Sequence, residues 1–207
     1  LSYTKDLDTF KSIYDFKKIG IIINDYLLKL VPLTNLFDEY FSKRDETYKL
    51  IPYQHEMDVA YQMYPDVPKG ILEGWSFTMT HFTHLDETIQ TSCFGLPKAY
   101  TVMGLTENGQ GYFRNNLVNI SNLSGYSISQ IKQNPQTSIL AFAAAYDLVL
   151  SDVNIASNNP KDHIEVLEAL AEIPLDHDPI NNFALNSHIY SVLSFIAKQT
   201  NQSTYNI

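Results

Sequence analysis

Apolar residues recur at steps of three and four along most of the chain, and this spacing predicts helices rather than strands. The clearest case lies mid-chain, where one helix face would carry Ile71, Leu72, Trp75, Met79 and Phe82. Pro68 precedes this face, and a proline suits the first turn of a helix. The spacing therefore predicts one helix near residues 68–82, with Met79 packed into its apolar stripe and the helix resting on the segment 141–150.

Other segments carry the same kind of pattern. Helices are predicted for residues 53–64, 111–125, 127–135, 134–156, 159–174 and 181–200. Gly125 is typical of a helix end and Ser127 of a helix start. The stretch 134–156 is nearly apolar on every side, which predicts a buried central helix.

The two ends of the chain are less regular. Residues 7–43 indicate two or three helices, although the run at 19–23, "IGIII", also suits a short buried strand. Strongly alternating runs and repeats of 20 to 50 residues are not evident. We predict an all-α, mainly helical chain, divided into an N-terminal helical extension (1–50), a main domain (51–198) and a polar tail or linker (199–207).

Charge and composition narrow the function. The 207-residue chain has a formal net charge of −9, which argues against nucleic acid and anionic membrane surfaces as partners. Its most apolar run is too short and too polar to span a bilayer, so no membrane insertion is expected. The single cysteine, Cys93, excludes an internal disulfide. Fourteen tyrosines suit a sugar-binding surface as well as a core.

Three motifs in order resemble the lysozyme-like superfamily, in its soluble lytic transglycosylase and goose-type lysozyme branch. Residues 67–82, "VPKGILEGWSFTMTHF", resemble the family helix Val-Pro-x-x-Leu-Leu-x-Ala-Ile-x-x-x-Glu-Ser-x-Phe. Residues 98–105, "KAYTVMGL", resemble Gly-Ala-x-Gly-Leu-Met-Gln-Leu. Residues 134–148, "NPQTSILAFAAAYDL", resemble the family's third motif, with one extra residue before its tyrosine. The resemblance implies a lysozyme-like domain with extra helices at both ends.

The flanks have a narrower resemblance. Residues 92–117 and 172–197 resemble the N-terminal module of bacterial cell-wall proteins of the N-acetylmuramoyl-L-alanine amidase type. This resemblance implies an exported protein of the periplasm or cell envelope, with peptidoglycan glycan strands as its partner. It also implies a covalently linked amidase domain beyond Ile207. No cofactor is implied.

The motifs depart from the family at the residues that perform its chemistry. Met79 stands where the family has its catalytic glutamate, and Gly104 stands where it has a glutamine. Glycosidic cleavage needs a protonated acid at the leaving oxygen, which methionine cannot supply. Three other carboxylates are fallback candidates. Glu73 is expected on the solvated, opposite side of the helix, while Asp86 and Glu87 follow the helix in a polar connection.

Binding residues are predicted as well. The candidates for contact with substrate are Met79, His81, Tyr100, Met103 and Tyr146. Tyr146 is the residue that resembles the family's cleft tyrosine, and tyrosine offers both a ring face and a hydroxyl to a sugar. His81 and His84 have the spacing of two metal ligands on a helix, but nothing fixes further ligands beside them, so no metal is predicted.

Three functions remain open at the level of sequence. The chain could bind glycan without cleaving it, cleave it with a relocated acid, or serve as a helical scaffold for another protein. An open cleft lined by Tyr100, Met103 and Tyr146 would favour the first two. A carboxylate reaching into that cleft would favour the second over the first.

Overall fold

The computed structural model describes residues 7–8, 11, 18–23, 37, 40–41, 47–89, 97–107, 113–174 and 178–207, with the backbone alone for 18–23 and 47–52. The chain divides into two compact units, Leu1–His55 and Glu56–Ile207. The division lies close to the predicted boundary after residue 50.

The first unit contains a parallel pair of strands, β1 (Lys18–Ile23) and β2 (Thr47–Pro52). The register runs from Lys18 opposite Thr47 to Ile23 opposite Pro52. The run at 19–23 is therefore a strand, which is the alternative that its sequence left open. Residues before β1 (7–8 and 11) and between the two strands (37 and 40–41) are helical. The Tyr40 hydroxyl joins the two regions by donating to Asp8 Oδ1 at 2.6 Å.

The second unit is mainly helical, and the prediction of fold class is confirmed. In chain order its elements are α1 (Gln54–Met63, which starts at the end of the first unit), α2 (Ile71–Thr80), β3 (Ala99–Tyr100), β4 (Leu105–Thr106), α3 (Asn116–Ser124), α4 (Ile128–Gln133), α5 (Pro135–Val153), a 3₁₀ turn (Pro160–His163), α6 (Ile164–Ala171), α7 (Pro179–Ala197) and α8 (Gln199–Tyr205). No helix in the described part of the chain has both the length and the apolar character needed to cross a membrane.

Local sequence explains where several of these helices start and stop. Ser127 caps α4 through a reciprocal pair of hydrogen bonds with Gln130. Gly125 ends α3 with a φ of 76°, a left-handed conformation that glycine adopts without a Cβ penalty. Asn134 and Asp178 accept backbone N–H groups at the starts of α5 and α7, each followed by a proline in the first turn.

Helix α5 is the buried central helix that its apolar sequence predicts. Ile139, Phe142 and Tyr146 on it are fully buried, and α3, α4 and α6 pack around it. Helix α2 contacts α7 most extensively, whereas its contact with α5 centres on Trp75, whose ring lies 4.6 Å from that of Phe142. The main partner predicted for α2 is therefore corrected from α5 to α7.

The last nine residues belong to the folded unit. They were expected to be a polar tail or linker, but α8 forms there and Tyr205 is buried. The Tyr205 ring lies 5.3 Å from Phe82 and 5.4 Å from Phe195. One aromatic residue thus anchors an otherwise polar helix, since aromatic rings contribute much buried apolar area.

The short hairpin β3–β4 is tied to the second half of α2. Its strands pair antiparallel, with Tyr100 opposite Leu105. Trp75 Nε1 donates to the Met103 carbonyl at 2.9 Å, and Thr80 Oγ1 donates to the Val102 carbonyl at 2.7 Å. These buried bonds give the hairpin a fixed position beside the last turn of α2.

Candidate functional site

A cavity of about 390 Å³ opens between the end of α2, the hairpin and α7. This volume lies within the range that small-molecule sites occupy. Its wall is formed by Thr78, Met79, Pro97, Ala99, Thr106, Phe113, Ile173, Ala184, Ser187, His188 and Ser191. Among these described residues no carboxylate and no lysine or arginine is present, so the cavity is mainly apolar.

Met79 and Gly104 meet at the wall of this cavity. A Cβ placed on Gly104 would lie 2.6 Å from Met79 Cβ, and the φ of Gly104 is +62°. The two residues are therefore in direct contact. Met79 is only partly buried, so it does not simply complete the apolar stripe as the sequence predicts.

His188 is the ionisable group among the described residues of the wall. It is 6% exposed, and the rings of Trp75 and Phe113 meet it edge-on at 4.6 Å and 5.1 Å. Burial lowers the pKa of His188 to about 4, because desolvation disfavours the charged imidazolium. The imidazole is therefore neutral near pH 7.

Two polar atoms in residues of this wall have no hydrogen-bond partner in the described part of the chain. They are Nε2 of His188 and Oγ1 of Thr78, and both are buried. Buried polar atoms are nearly always paired with protein or with ordered water. Each of the two atoms is therefore a candidate partner for a polar group of a ligand at this wall.

Helix α7, which forms part of the cavity wall, also carries two exposed aromatic side chains. Phe183 and Tyr190 are 75% and 72% exposed and directly precede two wall residues, Ala184 and Ser191. They are seven residues apart and so lie on the same side of the helix, about 10 Å apart along its axis. Sequence analysis missed both rings and His188. The signal for them was the presence of apolar residues on more than one face of this helix.

Two of the predicted binding residues are inaccessible. Met103 and Tyr146 are fully buried, and the Tyr146 ring stacks on His163 at 5.9 Å. The expectation that they line an open cleft is therefore corrected. Helix α5 places Tyr146 in the core, and Met103 lies in the turn that is bonded to Trp75.

The other three predicted binding residues differ in their position relative to the cavity. Met79 lines it, whereas His81 and Tyr100 do not. His81 ends α2 in a left-handed conformation, with its exposed ring 4.7 Å from that of Phe77. Tyr100 has Lys132 Nζ 3.9 Å from its ring centroid and Lys98 Nζ 5.1 Å away. A sugar could stack on the face that Lys132 covers only after displacing this cation.

Glu73, the first catalytic candidate, is fully buried, and the expectation that it is solvated is wrong. The Tyr61 hydroxyl donates to Glu73 Oε2 at 2.5 Å and accepts the backbone N–H groups of Gly70 and Leu72, each at 3.0 Å. Burial, reinforced by the charge of Glu73, raises the pKa of Tyr61 well above its usual value. Glu73 therefore belongs to a network at the start of α2, at the other end from Met79.

The remaining two carboxylates also lie outside the cavity wall. Asp86 is exposed and accepts two hydrogen bonds from Thr88, at 2.8 Å and 2.5 Å, which lower the pKa of Asp86. The side chain of Glu87 is 74% exposed, and one oxygen is 3.9 Å from Lys132 Nζ. Cys93 lies outside the described residues.

Comparisons of the chain with models of protein families, with curated proteins and with solved structures find no match. The cavity can bind a ligand, and its neutral imidazole can exchange hydrogen bonds with it. Protonating a leaving group is different, because that step needs an acid within reach of the reacting atom.

Proposed function

We propose that this chain is a peptidoglycan-binding module of an exported cell-envelope protein and that it lacks glycosidase activity of its own. One observation carries the proposal. The cavity beside the end of α2 has Met79 in its wall and no carboxylate among its described residues. General acid catalysis contributes on the order of 10²- to 10⁴-fold in rate, and this wall has no acid to supply it.

The positions of the three fallback carboxylates disfavour a relocated acid. Glu73 is buried in its bond with Tyr61, and none of the three lines the cavity. The hydrogen bonds of Thr88 lower the pKa of Asp86 and so favour its ionised form. A catalytic acid must instead stay protonated near neutral pH, usually by burial in an apolar pocket.

The exposed rings of α7 support binding of a glycan. Phe183 and Tyr190 offer two apolar faces on one side of the helix that forms part of the cavity wall. The faces of sugar rings are apolar and pack well on aromatic rings, while the rims of the sugars remain in water. The glycan strand would lie across these two rings, and the covalently linked amidase expected from the family resemblance would act on its stem peptides.

Co-sedimentation with purified sacculi tests the binding proposal. We expect the chain to pellet with sacculi and to be released by soluble glycan fragments. The double variant Phe183→Ser and Tyr190→Ser should lose most of this recovery. Leu148→Ser on α5 is the matched control, because Leu148 is an exposed apolar residue at a distance in sequence from the site. Equal recovery with and without sacculi would overturn the proposal.

Release of muropeptides from the same sacculi tests the absence of glycosidase activity. We expect no release by the parent chain or by Glu73→Gln, Asp86→Asn and Glu87→Gln. Product from the parent that disappears in one of these variants would identify a relocated acid. Activity gained by Met79→Glu would instead support the correspondence between Met79 and the family's glutamate.

A protein-binding scaffold is the second candidate. Ile180 extends the exposed apolar stripe of Phe183 and Tyr190 along α7, and it is 65% exposed. An isoleucine side chain has no flat face for a sugar, so it fits a protein partner better. Binding to intact cell envelope that soluble glycan fragments do not compete away would favour this function.

A further inference from the structure

The cavity has a composition that a glycan strand alone does not explain. Most of its described wall is apolar, from Met79, Pro97, Ala99, Phe113, Ile173 and Ala184. A sugar ring carries polar groups around its whole rim, and most of them would have no partner against such a wall. The cavity suits a more apolar occupant than a pyranose.

The polar part of the wall is small and is concentrated in a few residues. Thr78, Ser187 and Ser191 lie with His188 at the sides formed by α2 and α7. The fourth hydroxyl side chain, Thr106 on β4, already donates to Asn116 Oδ1 at 3.4 Å. Of their polar atoms, Thr78 Oγ1 and His188 Nε2 are buried and have no partner among the described residues. They come from different elements, so one local irregularity of the backbone does not account for both.

Charge sets a further limit on the occupant. The described wall holds no ionised side chain, and burial of His188 favours its neutral form. An ionised ligand would lose its hydration without gaining an opposite charge, which is unfavourable in an apolar site. A hydroxyl or an amide can instead exchange a hydrogen bond with an unpaired atom without carrying a charge.

We propose that the cavity is a binding site for a small uncharged molecule or substituent with an apolar body and one hydroxyl or amide group. The apolar body contacts Met79, Phe113 and Ala184, and the polar group bonds to His188 or Thr78. This proposal goes beyond the binding of a glycan strand and does not depend on it. Binding of a small molecule in the cavity and binding of a glycan at the exposed rings of α7 can therefore be tested separately.

A matched set of probes tests the proposal on the full chain at pH 7. The set is 2-naphthol, naphthalene and 2-naphthoate, which share one apolar body and differ in their polar group. We expect saturable one-to-one binding, with 2-naphthol about fivefold tighter than naphthalene, which corresponds to one net hydrogen bond. The anion 2-naphthoate should bind most weakly. Absence of saturable binding, or equal affinity for all three, would overturn the proposal.

Variants then place the probe in this cavity. Ala184→Phe fills it and should weaken all binding at least about tenfold, whereas Ala197→Phe makes the same change at an exposed site on α7. His188→Phe keeps a ring beside Trp75 and Phe113, and should remove the preference for 2-naphthol over naphthalene. Thr78→Val, nearly isosteric, should reduce the same preference.

Circular dichroism melts show whether each variant folds. If His188→Phe does not fold, Thr78→Val alone tests the assigned polar contacts. Unchanged affinity in Ala184→Phe would contradict binding in the cavity. An unchanged preference for 2-naphthol in both His188→Phe and Thr78→Val would contradict the assigned polar contacts. Recovery with sacculi is measured on the same Ala184→Phe protein, and loss of probe binding with recovery retained would separate the two sites.

Discussion

Gly104 lies so close to Met79 that the two residues constrain each other. The contact brings the hairpin against α2, and its left-handed backbone would strain any other residue. Any Cβ at position 104 would meet Met79 Cβ directly. The close approach of the hairpin to α2 therefore requires glycine there.

Gly104→Ala should destabilise the fold for two reasons. The left-handed φ alone costs a residue with a Cβ about 1–2 kcal/mol, and the new Cβ would also meet Met79 Cβ at 2.6 Å. Gly125→Ala is the control, because Gly125 has a similar φ of +76° with nothing within 4 Å of its added Cβ. Urea denaturation should show the larger loss in free energy of unfolding for Gly104→Ala. Equal losses would argue against the contact.

The hydroxyl of Tyr61 replaces a helix cap. Gly70 precedes α2 and has no side chain to cap it, and Tyr61 instead accepts N–H groups from Gly70 and Leu72 while donating to Glu73. Tyr61→Phe leaves all three groups buried without this partner, and we expect a loss of roughly 2–4 kcal/mol in free energy of unfolding. Tyr190→Phe, an exposed site, should cost almost nothing. Chemical denaturation of both variants would measure the difference.

At the scale of elements, Gly74 allows α2 and α7 to approach closely. A Cβ on Gly74 would lie 2.9 Å from the Val192 carbonyl oxygen of α7, and a backbone atom cannot easily move away. In an isolated helix the change to alanine would stabilise by about 1 kcal/mol. Here we expect Gly74→Ala to destabilise by about 1–3 kcal/mol through overpacking.

The same variant should also affect the cavity, since α2 and α7 form two of its walls. Thermal unfolding and 2-naphthol titration of Gly74→Ala measure both effects. Ser194→Ala, at an exposed site on α7, serves as the control. A Gly74→Ala protein as stable as the parent would mean that the helices separate at no cost, contrary to this prediction.

The elements that could be predicted from sequence are those whose cause is local. The cap of Ser127, the glycine stop at Gly125 and the apolar run of α5 act within one helix. Helix α8 was missed because its residues are polar, and only the contact of Tyr205 with distant rings fixes it. The choice of α7 as the partner of α2 depends on Gly74, whose role is visible only once two helices meet.

At the scale of the whole molecule, the candidate site was predicted in part. Met79 was predicted as a binding residue from a resemblance, and it lines the cavity. Tyr146 could not be rejected, because its burial depends on how α5 is surrounded. His188 belongs to no motif, and its importance comes from a cavity built by segments far apart in the chain. Residues that act through local interactions can be predicted from sequence. A cavity cannot, because it forms only when segments far apart in the chain pack together.

Burial of His188 predicts how the stability of the whole fold depends on pH. Its pKa falls from 6.5 to about 4 on folding, so below pH 6.5 the unfolded chain binds a proton that the folded chain does not. The stabilising contribution is fully present above pH 6.5 and is lost as pH falls towards 4. A shift of two and a half pKa units corresponds to a loss of roughly 3 kcal/mol in free energy of unfolding. Urea denaturation between pH 7.5 and 4 measures this loss.

Other groups change the stability in the opposite direction as pH falls, so the prediction compares the parent with a variant that lacks His188. Burial raises the pKa of Asp147 and Glu168, and their protonation favours the folded state as pH falls. His188→Phe leaves these groups in place and cannot bind the proton. The parent should therefore lose more stability than His188→Phe between pH 6.5 and 4, while His81→Gln, at an exposed histidine, should follow the parent. Parallel curves for the parent and His188→Phe would contradict the buried, neutral imidazole on which the proposed cavity site depends.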